Sequence, residues 1–252
     1  MFKKARIFIL IFILILVAAV QWKTGSQLVE WDNSVWTVIY PIAADNSPNT
    51  LDYIESLTIE QLAAIEAFIK DEADHYGIAT EQPIKVSLAI PINQMPPKPP
   101  ENGSLLQVML WSLQLRYWAW NNEDKSLAGD ISLFVLYHDP ALMPMVPHSL
   151  GLEKGHIGLI HAFASKNMTQ SNSVIITHEL LHTLGATDKY DLHTSLPIFP
   201  EGYADPELEP LYPQQTAEIM GGRIPVSSSE ADIPEHLNQT LIGRLTAQEI
   251  GW

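Results

Sequence analysis

The 252-residue chain contains no cysteine. It can therefore form neither a disulfide bond nor a thiolate metal site, and any metal ion must be bound by His, Asp or Glu side chains. Positive charge is also scarce, because 14 Lys and Arg residues stand against 29 Asp and Glu residues and give a net charge of −15. This balance disfavours contact with phosphate backbones, so we expect no nucleic-acid partner.

One long apolar run is present, at the N-terminus. Three basic residues precede an uninterrupted apolar stretch, 7–20, which is the arrangement of an export signal. The stretch is shorter than the about twenty residues that usually span a bilayer, although Trp22 and Lys23 suit a membrane interface. Residues 1–23 are therefore predicted to be a signal peptide or signal anchor. Residues 24–252 would form one exported domain, secreted or membrane-anchored.

The most informative segment is His178-Glu179-Leu180-Leu181-His182. Residues four apart in a helix lie one turn above each other, so the imidazoles of His178 and His182 can bind one ion together. Glu179 is offset by about a hundred degrees, which keeps its carboxylate away from the ion but close to a water that the ion activates. Because zinc lowers the pKa of such a water to about 7, the pattern predicts peptide hydrolysis with Glu179 as general base.

Two histidines leave a catalytic zinc site one protein ligand short. Gly185 favours a helix end at which the chain can turn back toward the ion, and Asp188, six residues after His182, is the predicted third ligand. Glu201 is a rival, since an eighteen-residue gap after His182 is similar to the glutamate segment of aminopeptidase-N-type enzymes. Prolines on both sides of Glu201 disfavour the helix that those enzymes have there, so Asp188 is preferred.

The segment 178–191 resembles the metzincin-like zinc endopeptidases whose third ligand is aspartate, such as snapalysin and the immune-inhibitor-type secreted proteases. Downstream, 217–222 is similar to the methionine turn that underlies the zinc ligands in that family. The resemblance implies a zinc peptidase with His178, His182 and Asp188 as ligands. Many metzincins have histidine in place of Asp188, and a carboxylate ligand should make the activated water less acidic.

Hydrophobic periodicity predicts an α+β fold, with a twisted mixed sheet, packed helices, an active-site helix and a turn-rich C-terminal part that ends in a closing helix. This element order is also metzincin-like. Ser104 is expected to cap one helix, whose many aromatic residues indicate burial, and Gly77 is expected to end another. The predicted strands are 34–42, 85–92, 130–137 and 157–165, and the predicted helices are 58–76, 104–120, the metal helix and 238–250.

The partner implied by this resemblance is a peptide or protein substrate. In that family the strand before the metal helix lies at the sheet edge, so 158–164 is expected to pair with extended peptide. Two alternative functions are an aminopeptidase-like enzyme that uses Glu201 as third ligand, and a non-catalytic exported domain that keeps zinc, or merely the fold, to present a peptide-binding edge. Glu179 argues against the non-catalytic domain, because a structural site needs no base.

Further polar residues of interest follow the metal helix. Acidic residues there are interpreted as a solvated loop, and three tyrosines are candidate donors to the oxyanion of the substrate. The acidic residues are Glu201, Asp205, Glu207, Glu209 and Glu218, and the tyrosines are Tyr190, Tyr203 and Tyr212.

Overall fold

The computed structural model describes residues 11, 31–100, 103–127, 129–153 and 155–252. The predicted signal peptide or anchor, 1–23, lies outside these residues except for Ile11. Within the described ranges no helix is long and apolar enough to cross a membrane. The longest of them has 18 residues and includes Gln, Ser, Arg and Asn side chains. For the described residues, the expectation of a transmembrane helix is therefore corrected.

A five-stranded sheet forms the centre of the molecule. Its strands are β1 (Val35–Ala43), β2 (Ile84–Leu88), β3 (Ile131–His138), β4 (Leu150–Leu152) and β5 (Ile157–Phe163). Their order is β2-β1-β3-β5-β4, in which the first four run parallel and β4 runs antiparallel to β5. The four predicted strands are confirmed, with β2 ending earlier than expected, and the mixed sheet with its helices gives an α+β fold.

The edge of the sheet beside the metal helix is β4, not β5. Gly151 of β4 pairs with Gly158 of β5, so β5 lies between β3 and β4. The expectation that 158–164 forms the edge was wrong. The chain after β3 folds back and adds three residues outside β5, and three residues are too few to show an alternating pattern in a proline-rich stretch.

Five α-helices accompany the sheet in the described residues: α1 (Pro48–Glu55), α2 (Ala63–His75), α3 (Leu105–Asn122), α4 (Thr169–Thr183) and α5 (Arg244–Glu249). The predicted caps are present. Ser104 forms a capping box with Gln107 at the start of α3, and Gly77 adopts a φ of 75° after α2. The short α1 was not predicted.

The two faces of the sheet bury different helices. Along β3, Leu133, Val135 and Tyr137 belong to a first core that also contains residues of α2 and α4. The alternate residues Phe134 and Leu136 belong to a second core, which contains the buried residues of α3. Because side chains alternate along a strand, the first and second cores lie on opposite faces of the sheet.

Helix α3 is buried along one side only. Trp111, Leu115 and Ala119 are buried, whereas Tyr117 is 65% exposed and Trp120 is 61% exposed. The expectation that the aromatic residues of this helix are buried was therefore wrong for two of them. Aromatic content alone does not tell which side of a helix meets the core.

The C-terminal part contains two pairs of very short strands and the closing helix α5. Strand β6 (Ala217–Glu218) pairs with β9 (Thr240–Leu241), and β7 (Ile224–Pro225) pairs with β8 (Ala231–Asp232). The closing helix begins later than predicted, because two residues of the predicted helix form β9 and pair with β6 instead.

Candidate metal centre

Helix α4 brings the two predicted histidine ligands together on its surface. His178 and His182 are one turn apart, and their ring centroids are 4.7 Å from each other in an edge-on arrangement. Their side chains are 14% and 17% exposed, so both rings are largely shielded but open toward one side. The helix itself is held by apolar residues, including Leu180 and Leu181, that enter the first core.

Backbone carbonyls fix the orientation of both rings. The Nδ1 atom of His178 is 2.9 Å from the carbonyl oxygen of Ile219, and Nδ1 of His182 is 2.8 Å from that of Ala186. A carbonyl oxygen can only accept a hydrogen bond, so each Nδ1 carries the proton and donates it. The Nε2 lone pairs are therefore available to a metal ion, as is usual for histidine ligands.

Asp188 faces both free imidazole nitrogens. Its Oδ1 atom lies 3.2 Å from Nε2 of His178 and 3.1 Å from Nε2 of His182. Gly185, with a φ of 107°, turns the chain back after α4 and so permits this approach. In a tetrahedral zinc site the ligand atoms are about 3.3 Å apart, so these separations fit one ion between the three side chains.

The charges of these groups agree with that arrangement. Burial would raise the pKa of Asp188, but the two imidazoles that face its carboxylate hold the pKa far below its usual range. For His178 burial lowers the pKa, but the carboxylates of Asp188 and Glu179 and the carbonyl of Ile219 together more than compensate, so the net shift is upward. A carboxylate that is ionised at all ordinary pH values suits a cation site.

The carboxylate of Glu179 lies near the two histidines, but farther from their nitrogens than the carboxylate of Asp188 does. One of its carboxylate oxygens is within 4.8 Å of a nitrogen of each histidine. The side chain is buried, its Oε2 atom has no hydrogen-bond partner among the described residues, and burial raises the pKa of the carboxyl. The shorter contacts of Asp188 make that residue the better third ligand, which leaves Glu179 free to bind a water or move a proton.

The edge strand β4 is packed directly against the histidine helix. A Cβ atom on Gly151 would lie 2.4 Å from Cβ of His182 and 2.7 Å from the carbonyl oxygen of Glu179. No side chain fits there, so glycine is required for this close approach. The backbone N–H of Gly151 also acts on Glu179, where it lowers the pKa and partly opposes the effect of burial.

The methionine segment, 217–222, lies beneath α4 and forms hydrogen bonds with the backbone of Lys189 and the side chain of His178. Met220 is fully buried, and its carbonyl oxygen accepts a hydrogen bond of 2.8 Å from the backbone N–H of Lys189. The preceding Ile219 supplies the carbonyl that orients His178. The segment thus connects one histidine to the loop that carries Asp188.

Glu218 was interpreted from the sequence as part of a solvated acidic loop, and that was wrong. It is completely buried, and its carboxylate accepts hydrogen bonds from the N–H groups of Gly221 and Gly243 and from the hydroxyl of Thr246. Burial raises the pKa of its carboxyl, while these three donors lower it. Glu218 therefore stabilises the methionine segment from within and joins it to the start of α5.

A buried ion pair holds the Asp188 loop to the C-terminal helix. The Nζ atom of Lys189 lies 2.6 Å from Oε2 of Glu249 and also donates to the carbonyl oxygen of Thr187. Glu249 accepts two further hydrogen bonds from the N–H and hydroxyl of Thr187. Both neighbours of Asp188 are thus anchored to α5. Sequence reasoning missed this pair, because sixty residues separate its members and no spacing rule connects them.

Among the three candidate tyrosines, Tyr190 lies beside the cluster of His178, Asp188 and Glu179. Its ring centroid is 6.3 Å from that of His178, and burial together with the charges of Asp188 and Glu179 raises the pKa of its hydroxyl to about 12. The hydroxyls of Tyr203 and Tyr212 are 2.8 Å apart and are hydrogen-bonded to each other. Tyr190 is therefore the candidate best suited to donate a hydrogen bond at the metal centre.

The rival ligand Glu201 and two further histidines, His156 and His161, lie outside the cluster. Glu201 is exposed in a turn, and the carboxylate paired with His178 and His182 in the described structure is that of Asp188. His156 contacts the carbonyl oxygen of Thr183. His161 lies 2.8 Å from His138, away from the metal helix.

Comparisons with known proteins add no identity. No protein-family model matches the sequence, and no curated protein matches it. Among solved structures, the chain is similar to the crystal structure of wild-type OgpA from Akkermansia muciniphila, with a TM-score of 0.41 and 13% sequence identity. The match covers 84% of this chain and 58% of OgpA, so the chain spans less than two thirds of that protein. We draw no function from a similarity of this size.

Proposed function

We propose that the chain is a zinc-dependent peptidase with a metzincin-like fold, in which His178, His182 and Asp188 hold the ion. The observation that carries this proposal is the position of Asp188 Oδ1, 3.1 and 3.2 Å from the two Nε2 atoms. Because both Nδ1 atoms already donate to carbonyl groups, all three donor atoms point to one place with free lone pairs.

A zinc ion held there would lower the pKa of water to about 7 and polarise a substrate carbonyl. Glu179 accepts the proton of the attacking water, since its Oε2 atom is buried without a partner among the described side chains. Burial raises the pKa of this carboxyl, which helps it to take up and hold the proton that it then passes to the leaving amine. The hydroxyl of Tyr190 donates a hydrogen bond to the carbonyl oxygen that becomes negatively charged.

The substrate is a peptide bound in extended conformation along β4. In the described part of the chain β4 pairs with β5 on one side and with no strand on the other. A peptide can therefore add to the free edge through backbone hydrogen bonds. Gly151 brings this edge next to Glu179 and His182, so a bound peptide passes the general base.

The decisive experiment compares Glu179→Gln with Glu201→Gln in the full chain. Removal of the general base should reduce cleavage of a quenched fluorescent peptide library by about 10²–10⁴-fold, while zinc content stays near one ion per chain. Glu201→Gln should keep wild-type activity, because Glu201 is exposed outside the cluster.

Equal cleavage by the wild type and Glu179→Gln would contradict the proposal. If neither protein cleaves the library although both bind zinc, the chain is a non-catalytic zinc-binding domain. A loss of zinc in Glu201→Gln would instead assign the third ligand to Glu201.

A further inference from the structure

The outer side of α3 is an apolar surface without a cover in the described structure. Five large side chains follow one another along it with alternating spacings of four and three residues, and each is more than half exposed. These residues, here called the outer stripe, are Leu106, Leu110, Leu113, Tyr117 and Trp120.

The outer stripe is opposite the side of α3 that packs on the sheet. Trp111, Leu115 and Ala119 enter the second core, and at 3.6 residues per turn the outer stripe is centred about half a turn away from them. Leu105 and Met109 flank it and are 82% and 58% exposed. The helix is therefore apolar on two opposite sides, and the sheet covers only one of them.

The size of this surface is that of a protein interface. The outer stripe and its two flanking residues leave roughly 800 Å² of side chain in water, which is what each partner contributes to a standard interface. Monomeric proteins seldom expose an apolar patch larger than a few hundred Å². No Asp or Glu lies between 104 and 122, although the chain as a whole has a net charge of −15.

We propose that the outer stripe is the interface between two copies of this chain. An alternation of four and three residues is the pattern of a helix that packs lengthwise against another helix. In an antiparallel pair with a two-fold axis beside Leu113, Leu106 meets Trp120 and Leu110 meets Tyr117 of the second copy. A two-fold interface places each patch against itself, so a surface without acidic side chains avoids the repulsion that the rest of this acidic protein would produce.

Charge favours a second copy over a membrane surface as the occupant. Helices that lie in a membrane interface usually carry several Lys or Arg residues on their polar side. Arg116 is the only charged residue of α3, and the acidic protein around it would be repelled by anionic lipid.

The absence of native cysteine permits a direct test by cross-linking of the full chain. With Leu113→Cys, the two introduced thiols lie next to each other across the two-fold axis, so mild oxidation should convert most of the protein into a disulfide-linked dimer. The matched control is Ile233→Cys, because Ile233 is equally apolar and 66% exposed but lies in the C-terminal part. Similar cross-linking of both variants would reflect random collision and would overturn the proposal.

A second measurement separates the possible occupants by sedimentation of the full chain, with a monomer mass of 28.2 kDa. The wild type and Ile233→Glu should sediment as dimers. Leu113→Glu should raise the dissociation constant by more than about 100-fold, because it brings two like charges together at the axis.

Three results would overturn the proposal. The first is a wild-type monomer at tens of micromolar. The second is a dimer that persists in Leu113→Glu, which would assign the association to another part of the chain. The third is a wild-type monomer that binds phosphatidylcholine vesicles in a manner abolished by Leu113→Glu, which would assign the outer stripe to a lipid surface.

Discussion

Helices α3 and α4 lie on opposite faces of the same sheet and are fixed in different ways. In α4, polar side chains are bonded to the chain outside the helix: Asn172 to both backbone groups of Phe163, His178 to Ile219, and His182 to Ala186. In α3, the indole N–H of Trp111 donates a hydrogen bond to the carbonyl oxygen of Pro97. Apolar side chains of α3 pack on the second core. The difference indicates that the position of the candidate metal-binding side chains depends on polar contacts, whereas the position of α3 depends on the apolar area that it buries.

The largest expected effect is on zinc binding by the polar side chains at α4. Asp188→Ala removes the oxygen that faces both histidines, so zinc affinity should fall by more than about 100-fold, beyond the loss that follows removal of an outer partner. Competition with a chromogenic chelator measures this affinity. Glu201→Ala is the control and should bind zinc like the wild type. A larger loss in Glu201→Ala than in Asp188→Ala would reverse the ligand assignment.

A pair of core substitutions compares the two helices directly. Leu180 in α4 and Leu115 in α3 are both completely buried, and replacement of either by alanine should lower the free energy of unfolding by about 2–5 kcal/mol. Urea denaturation measures both. We expect only Leu180→Ala to weaken zinc binding as well, because its cavity lies under the helix that carries both rings. An equal loss of zinc affinity in Leu115→Ala would show that the two faces are not independent.

The ion pair of Lys189 and Glu249 should matter less than the core but more than a surface pair. Glu249→Gln leaves the ammonium of Lys189, which is 4% exposed, without its counter-charge. The free energy of unfolding should fall by about 2 kcal/mol, less than the about 3–5 kcal/mol for a fully buried pair, because Glu249 is 21% exposed. The exposed pair of Lys70 and Asp74 is the control, and Asp74→Asn should cause no measurable change.

The same pair predicts a dependence on pH. Burial would raise the pKa of Glu249, but the hydrogen bonds from Lys189 and Thr187 bring it below its ordinary value. The stabilisation is therefore complete above the ordinary glutamate pKa and is lost as the pH falls through the lower, folded value. The difference in stability between the wild type and Glu249→Gln should shrink between pH 6 and pH 3. A difference that grows over this range would contradict the assignment.

The smallest expected effect is on the pH dependence of stability, through His161 in β5. Burial and the neighbouring His138 lower the pKa of His161 to about 4, so the unfolded chain takes up a proton before the folded one as the pH falls. Stability should therefore decrease between about pH 6.5 and pH 4. Replacement of His161 by Gln should remove about 1 kcal/mol of this loss at pH 5, as measured by thermal unfolding, after allowance for its partial exposure.

The elements that local rules describe could be predicted from the sequence. Ser104 with its capping box and Gly77 with its positive φ mark helix ends by chemistry that acts over three or four residues. The spacing of His178 and His182 likewise predicts that their rings lie together. Each of these signals is contained within one turn of chain.

What could not be predicted depends on contacts between distant residues. Strand β4 depends on its pairing with β5 and on the close approach of Gly151 to α4, and its three residues have no period of their own. Glu218 lies among acidic residues in the sequence but is buried by donors from 221, 243 and 246. Composition cannot distinguish a buried carboxylate from a solvated one, and the same limit applies to the exposed aromatics of α3.

The two main-chain carbonyls that orient the histidines have a consequence for how this centre tolerates change. Because Ile219 and Ala186 act through their peptide oxygens, their side chains take no part in the hydrogen bonds to the imidazoles. Both side chains are buried in the first core, so only replacements of similar size and polarity keep the peptide oxygens in place. Insertions or deletions near these two positions would move the oxygens and disturb ring alignment at once, so the length of the surrounding loops limits redesign of the site more strictly than the identity of these two residues.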